Sequence, residues 1–354
     1  MTPGALATDL LTNPHSSGTR APRALDIGFE LTNLCNLHCT HCIRGSHQEN
    51  IEHLDLAFFR RILNEASQLF DPLAVVFTGG EPLASELFPA AVEELRIRNL
   101  PYRFVTNGWL LPRHLPLLLR HRPTFVRISL SGGSARTHDA QRGRGSFRRA
   151  LLGAAVLLSR GIRTEMSMLV TRDGRHELRD ALEIATDLGL ASFHYILPQP
   201  TPETAIEGCD LSPPEWDAVA TEVRALARTS ALPVMLAYGA AEIRPPATCR
   251  TMTARQLYID ARGQVPFCCQ LSRYGTGPDP ILGDLTTESL ATVFTRAEAK
   301  YAEFGADTVR LHQIGRTDAL DAYPCVSCAR RHGKTGFLAD FPEHPWTALS
   351  RLPS

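Results

Sequence analysis

The tightest constraint on this chain is the stretch Leu31-Thr-Asn-Leu-Cys35-Asn-Leu-His-Cys39-Thr-His-Cys42, directly after an apolar run that reads as a buried strand. Cys35, Cys39 and Cys42 stand at C-x3-C-x2-C spacing. Three thiolates can hold three corners of a four-iron cluster. A cluster held by cysteines alone normally takes four, so the fourth iron is either bound by another group or kept open for chemistry. A zinc site with His38 or His41 as the fourth ligand is the competing reading.

Downstream, short apolar runs alternate with helical patterns, the signature of βα units and a parallel sheet. Strands are predicted over Leu25–Leu31, Ala74–Phe77, Tyr102–Val105, Phe125–Leu130, Arg163–Val170 and Phe193–Leu197. Helices are predicted near 55–70, 83–98, 112–120, 146–160, 174–189 and 213–228, with Asp55 and Ser212 as N-caps and Pro213 in a first turn. These six units fall short of the eight of a full barrel. The expected fold is therefore α/β, a partial (β/α)6 TIM-like barrel followed by a small α+β domain. Residues 1–23 read as a flexible lead-in, 24–232 as the barrel, 233–332 as the second domain and 333–354 as an irregular tail. Within the second domain, Pro245-Pro246 marks a boundary. Gln256–Asp260 and Gln264–Cys268 read as a β-hairpin around Gly263, and Leu285–Phe294 as a short helix.

Working groups of α/β barrels collect at the C-terminal ends of strands, where Cys35, Cys39 and Cys42 fall. The second strand ends in Thr78-Gly79-Gly80-Glu81-Pro82. Its glycines let a ligand approach the backbone, Glu81 can accept from an ammonium group, and Pro82 suits a helix start. Strand three ends in Thr106-Asn107-Gly108 and strand four in Ser129-Leu130-Ser131-Gly132-Gly133. Polar side chains there suit a ribose or a carboxylate, although such pairs also mark ordinary turns. Far downstream, Cys249, Cys268, Cys325 and Cys328 make a complete four-thiolate set, fit for a closed cluster or a structural zinc. Cys269 adjoins Cys268, and strand neighbours point to opposite faces, so one of the two is expected to ligate. Cys209 reads as a spare thiol.

Nine cysteines without a signal-peptide pattern point to metal or redox work in a reducing compartment, hence the cytoplasm. Zero formal net charge gives no basic field for nucleic acid, and no apolar run is long enough for a membrane span. With only two lysines (Lys300 and Lys334) against many arginines, the composition points to a genomic bias, not a phosphate site.

Together these residues resemble the radical S-adenosylmethionine (radical SAM) superfamily across roughly residues 24–330. The pairing of C-x3-C-x2-C with G-G-E-P some forty residues on, both at strand ends, is specific to it. The resemblance implies a [4Fe–4S] cluster on Cys35, Cys39 and Cys42, with the methionyl amine and carboxylate of SAM on the open iron. Reductive cleavage of SAM then gives a 5′-deoxyadenosyl radical that takes a substrate hydrogen, the cofactor supplying the hard chemistry. It further implies that Gly79, Gly80 and Glu81 receive the methionyl amine, with Pro82 shaping the turn. Ser129 and Ser131 look like the ribose end of strand four, and Asn107 a second contact. Arg142, in His138-Asp-Ala-Gln-Arg-Gly-Arg-Gly145, belongs to a stretch common in one branch. His41 stands where an aromatic ring stacks near adenine.

The C-terminal cysteines resemble the auxiliary-cluster domains of that branch. The longer form, SPASM, begins C-x9-15-G-x4-C, which Cys249, Gly263 and Cys268 fit; this favours Cys268 over Cys269. Only Cys325 and Cys328 remain of its later cysteines, which points to the shortened Twitch form with one closed auxiliary [4Fe–4S] cluster. Such enzymes modify ribosomally made peptides or oxidise small metabolites, and peptide crosslinking or oxidation in natural-product biosynthesis is the expectation placed first. About two dozen residues precede the first strand, too few for a leader-binding domain. A peptide substrate would then call for a separate recognition protein or for direct docking on the barrel, and the chemistry for an electron donor such as flavodoxin or ferredoxin. The non-enzymatic alternative is a metal-binding scaffold. No single acid or base stands out as catalytic.

Overall fold

The computed structural model describes residues 23–45, 50–208, 210–237, 249, 251–253, 255–315 and 319–350. The lead-in, Cys209 and Pro245-Pro246 lie outside the described residues.

Strands β1 (Arg23–Glu30), β2 (Phe70–Thr78), β3 (Tyr102–Thr106), β4 (Val126–Leu130), β5 (Thr164–Leu169) and β6 (Phe193–Ile196) follow one another in one parallel sheet. Helices α1 (Leu56–Leu69), α2 (Phe88–Ile97), α3 (Leu111–Arg120), α4 (Ala135–Arg142), α5 (Ser146–Ser159) and α6 (Leu178–Asp187) connect them. This is the partial barrel expected, with two more strands at its edges. After α7 (Pro202–Glu207) and α8 (Pro213–Thr229), β7 (Val234–Leu236) extends the β6 edge, and β8 (Gln256–Ile259) pairs in parallel with β1.

Period-2 alternation sorts the strand side chains. Leu25, Ile27 and Phe29 of β1, and Leu73, Val75 and Phe77 of β2, are buried against the helices. Aromatic rings join there, Phe29 to Phe59 at 4.8 Å and Phe77 to Phe88 at 5.6 Å between centroids. The alternate residues face the barrel lumen. Deeper in it, Arg103 pairs with Asp26 at 2.6 Å and Arg127 with Glu165 at 2.7 Å. Toward the C-terminal mouth, Thr78, Val105, Ser129, Ser167, Leu169 and Ile196 line a cavity.

The predicted hairpin is corrected. Gly263, at φ +79°, turns the chain, but the two strands part after the turn. Tyr258 fits against Gly28, where an added Cβ would press on the ring at 3.2 Å, so β8 is recruited to β1. Strand β9 (Gln264–Pro266) instead pairs antiparallel with β10 (Ile281–Asp284). The short helix predicted at Leu285–Phe294 is a 24-residue helix, α9 (Leu290–Gln313), with Ser289 as its N-cap. Its apolar residues Leu290, Val293, Phe294, Ala297 and Tyr301 continue a buried stripe beyond the predicted stop.

After α10 (Pro324–Arg331) the tail is also better ordered than expected. It carries a 3-10 turn at Gly336–Asp340 and α11 (Thr347–Ser350). Trp346 is fully buried, stacks edge-on with Trp216 and Tyr323 at 5.1 and 4.9 Å, and donates Nε1–H to the Leu211 carbonyl at 2.8 Å. No helix among the described residues is long and apolar enough to cross a membrane.

Candidate active site

The loop after β1 and the turn after β2 are built as one unit. Gly80 N–H donates to the Thr32 carbonyl at 3.2 Å and Glu81 N–H to the Leu34 carbonyl at 2.8 Å. The cysteine loop lies so close that a Cβ on Gly80 would overlap the Leu34 carbonyl oxygen. Gly79, at φ +113°, faces Glu30 with no room for a side chain. Both glycines are thus required by the neighbouring backbone as well as by their own turn.

The loop is tied on its other flank by Thr40 N–H to the Gln141 carbonyl at 3.1 Å. Cys35, Cys39 and Cys42 are half-buried and open onto a cavity of about 330 Å³ at the barrel mouth. Gly79, Gly80, Glu81, Asn107, Ser129, His41 and Arg142 line the same space. Burial pushes the Cys35 thiol up to about 12, with Glu81, Cys39 and Cys42 adding to the rise and a Leu37 backbone hydrogen bond opposing it. Burial also raises Cys39, against the pull of Arg142.

The predicted site residues divide by what their side chains already hold. Glu81 is buried and accepts from Thr106 Oγ1 at 2.7 Å, Asn107 N–H at 2.8 Å and Leu83 N–H at 3.2 Å. A carboxylate offers about four acceptor positions, so its chief service is to join β2, β3 and the turn begun by Pro82. Burial, partly offset by those hydrogen bonds, lifts it to about 7. Asn107 Nδ2 donates to Asn36 Oδ1 at 2.9 Å and reaches Cys35 Sγ at 4.0 Å, while its Oδ1 accepts Trp109 N–H at 2.9 Å. Ser129 faces the cavity. Ser131 is fully buried behind it, accepting from Arg142 Nε at 2.6 Å and meeting His41 Nε2 at 3.3 Å. Burial, then Arg142 and His138, hold His41 well below the usual imidazole range, so its ring is neutral.

A second cavity, of about 220 Å³, is lined by Cys249, Cys268, Cys269, Cys325 and Cys328 among apolar Phe267, Leu271 and Met252. The strand-alternation argument against Cys269 does not apply, because β9 ends at Pro266 and both cysteines lie in the turn beyond it. Cys268 lies near Cys328 and Cys325, and Cys269 near Cys249 and Cys325, so both adjoin the set. Burial raises Cys328 to about 12. Among the described residues no three His, Cys, Asp or Glu side chains converge on a single-ion site; the cysteines line the walls of the two cavities.

Sequence reasoning missed the network between these cavities. Arg44, two residues after Cys42, donates Nη2 to Tyr258 Oη at 3.0 Å and to the Cys269 carbonyl at 3.1 Å. Its Nε lies 3.4 Å from Glu30, which is fully buried and also receives Tyr258 Oη and Arg273. Arg273 bridges onward to Glu52. The one available signal was Glu30 itself, a charge inside an apolar strand.

Residues 29–201 match the model of the Radical SAM superfamily, so the chain carries a domain of that family. Among curated relatives, an AdoMet-dependent heme synthase of Nitratidesulfovibrio vulgaris is 27% identical over 195 residues, 54% of this chain and 53% of that protein. The antilisterial bacteriocin subtilosin biosynthesis protein AlbA of Bacillus subtilis is 31% identical over 189 residues, 51% of this chain and 41% of that one. The chain thus spans about half the length of these relatives or less. Among solved structures, Streptococcus suis SuiB bound to precursor peptide SuiA superposes with a TM-score of 0.62 at 13% identity, over 77% of this chain and 65% of that one. That likeness is one of fold.

The superfamily implies a [4Fe–4S] cluster and SAM. The donor set at the barrel mouth suits them: three thiols, exposed backbone at two glycines, and hydroxyl and guanidinium groups face one space large enough for a ligand.

Proposed function

We propose that the chain cleaves SAM reductively and modifies a ribosomally made peptide by crosslinking or oxidation, an oxidoreductase-type reaction in natural-product biosynthesis. The observation that carries this reading is the single cavity onto which Cys35, Cys39, Cys42, the Gly79–Gly80 backbone, Ser129 and Arg142 all open. When bound, the cluster and SAM supply a 5′-deoxyadenosyl radical that takes a hydrogen from the substrate. Cys35, Cys39 and Cys42 would hold three irons, which would leave one for the methionyl group. The Gly79–Glu81 backbone faces the methionyl amine, Ser129 the ribose, and neutral His41 the adenine edge. Arg142 and Ser131 fix His41 from behind.

Cys249, Cys268, Cys325 and Cys328 would hold an auxiliary [4Fe–4S] cluster of the Twitch type in the second cavity. Four thiolates would leave it no open position for substrate, and its chemistry there would be electron exchange. The peptide substrate is supported by likeness to AlbA, named for bacteriocin biosynthesis, and to the SuiB–precursor peptide complex. A flavodoxin or ferredoxin serves as electron donor, a separate protein presents the peptide, and the cytoplasm is the working compartment. Likeness to the heme synthase supports a second reading, oxidation of a small metabolite.

Anaerobic reconstitution tests the proposal. About eight irons per chain are expected as two clusters, with release of 5′-deoxyadenosine on reduction with SAM. Cys268→Ala should lose half of the iron and Cys269→Ala should keep it; the reverse would reassign the ligand. Mass change in peptides encoded beside the gene, set against turnover of tetrapyrrole carboxylates, separates the two substrate readings.

A further inference from the structure

We propose that Gln199 and Gln270 form a substrate-reading pair where the two cysteine-lined cavities meet, and that they hold the N–H and C=O of one extended peptide residue. The inference rests on the peptide-modifying reading and names the contact such a substrate would make. Both side chains line both cavities. Gln199 Nε2 donates to Gln270 Oε1 at 2.5 Å. That bond orients both amides and leaves Gln199 Oε1 as an acceptor and Gln270 Nε2 as a donor, not bonded to each other. Gln199 is 7% exposed, and its Oε1 has no hydrogen-bond partner among the described residues. Buried amide oxygens are normally satisfied, so an acceptor held in place without a partner at a cavity wall marks a ligand position.

The pair is built on pinned backbone. Pro198 and Pro200 flank Gln199 and restrict its torsions, and Tyr274 Oη donates to the Pro200 carbonyl at 2.7 Å. Gln270 follows Cys269, whose carbonyl accepts from Arg44 at 3.1 Å, and Leu271 N–H closes the turn on the Cys268 carbonyl at 3.1 Å. A carboxylate would set like partial charges against Gln199 Oε1, and a lone hydroxyl would use half of the pair. An extended residue points its own N–H and C=O to the same side, and the pair offers one acceptor and one donor for them. A residue held there lies between the predicted origin of the radical and the auxiliary cysteines.

The test uses the full chain, reconstituted and loaded with SAM, with N-acetylalanine N-methylamide as the probe and O-acetyllactic acid N-methylamide as its ester counterpart lacking the alanine N–H. Binding is read by NMR saturation transfer. The wild type should hold the amide about tenfold tighter than the ester, the discrimination expected when one buried acceptor loses its donor. Gln199→Leu should abolish that gap, as should Gln270→Leu on the half-buried partner. Equal binding of amide and ester by the wild type would overturn the proposal. So would a Gln199→Leu protein that loses SAM affinity while keeping the gap, which would give the acceptor to the adenine. Propionamide held as tightly as the alanine probe would reassign the pair to a carboxamide metabolite. Iron content and SAM binding are measured on the same samples, so failure of the radical SAM reading of the cysteines is seen separately from loss of the amide preference.

Discussion

The two cysteine sites are held in different ways. At the barrel mouth, backbone hydrogen bonds from Gly80 and Glu81 to Thr32 and Leu34 fix the loop, and polar groups face the cavity. At the C-terminal site, side-chain packing does the holding: Phe267 meets Tyr301 and His332 at 5.0 and 4.6 Å between ring centroids, and the walls are apolar. The barrel-mouth space is the more polar of the two and so the better suited to a charged ligand. An apolar wall lowers the local dielectric around any group held there. The contrast teaches that the barrel-mouth site depends on sheet geometry and the C-terminal site on core packing, with Arg44 as the joint between them.

The largest expected effect separates the two sites outright. Cys35→Ala should reduce 5′-deoxyadenosine release to background, whereas Cys325→Ala should remove about half of the iron and leave SAM cleavage detectable by chromatography. If both variants abolish cleavage, the sites are not independent. Next, Arg44→Ala should destabilise the protein by about 3 kcal/mol, because Glu30 keeps Arg273 but loses one of its charged partners; urea titration measures it. Gly80→Ala should cost about 3 kcal/mol, since the new Cβ forces the cysteine loop away, and should weaken SAM binding in equilibrium dialysis. An effect confined to stability would show that the loop tolerates displacement.

The smallest effect probes the barrel floor, away from both sites. Burial pushes Glu165 up, but hydrogen bonds and charge from His194 and Arg127 outweigh it and hold the carboxyl at about 2, against an ordinary 4.5. The depressed value means this stabilisation is complete above pH 4.5 and lost as pH falls from 4.5 through 2. After allowance for solvent screening it amounts to about 1 kcal/mol. Glu165→Gln should flatten that part of the acid limb in denaturant titrations. A wild-type acid limb would assign it to other carboxylates.

The six central strands were legible because Leu25, Ile27, Phe29 and their counterparts repeat at period 2, and the Cys35–Cys42 and Gly79–Pro82 motifs are local in sequence. What was not legible depends on distant partners. Strand β8 is short, and its place beside β1 is decided by the fit of Tyr258 over Gly28. The Tyr258 and Arg273 bonds to Glu30 span 228 and 243 positions. Ser131 reads like Ser129 in sequence, yet Arg142 and His41 engage it behind the cavity wall. The extent of α9 was missed because its buried stripe thins toward the C-terminus, leaving Tyr301 as the last buried residue of the helix.

The pairing of β8 with β1 has a consequence in time. During synthesis the chain emerges from its N-terminus, so β1 waits with one edge unfilled until residue 259 has left the ribosome. An unpaired apolar edge is a template for the wrong neighbour. Strand β1, made before the other described strands, is thus among the last to be completed, and Tyr258 reaches Glu30, the charge that helps seat Arg44, only at that moment. Closure of the loop that carries Cys42 is thereby scheduled late, when most of the C-terminal cysteine region has yet to emerge. A nascent chain halted just before β8 should be more prone to aggregate than one halted just after it, as ribosome-bound solubility would show.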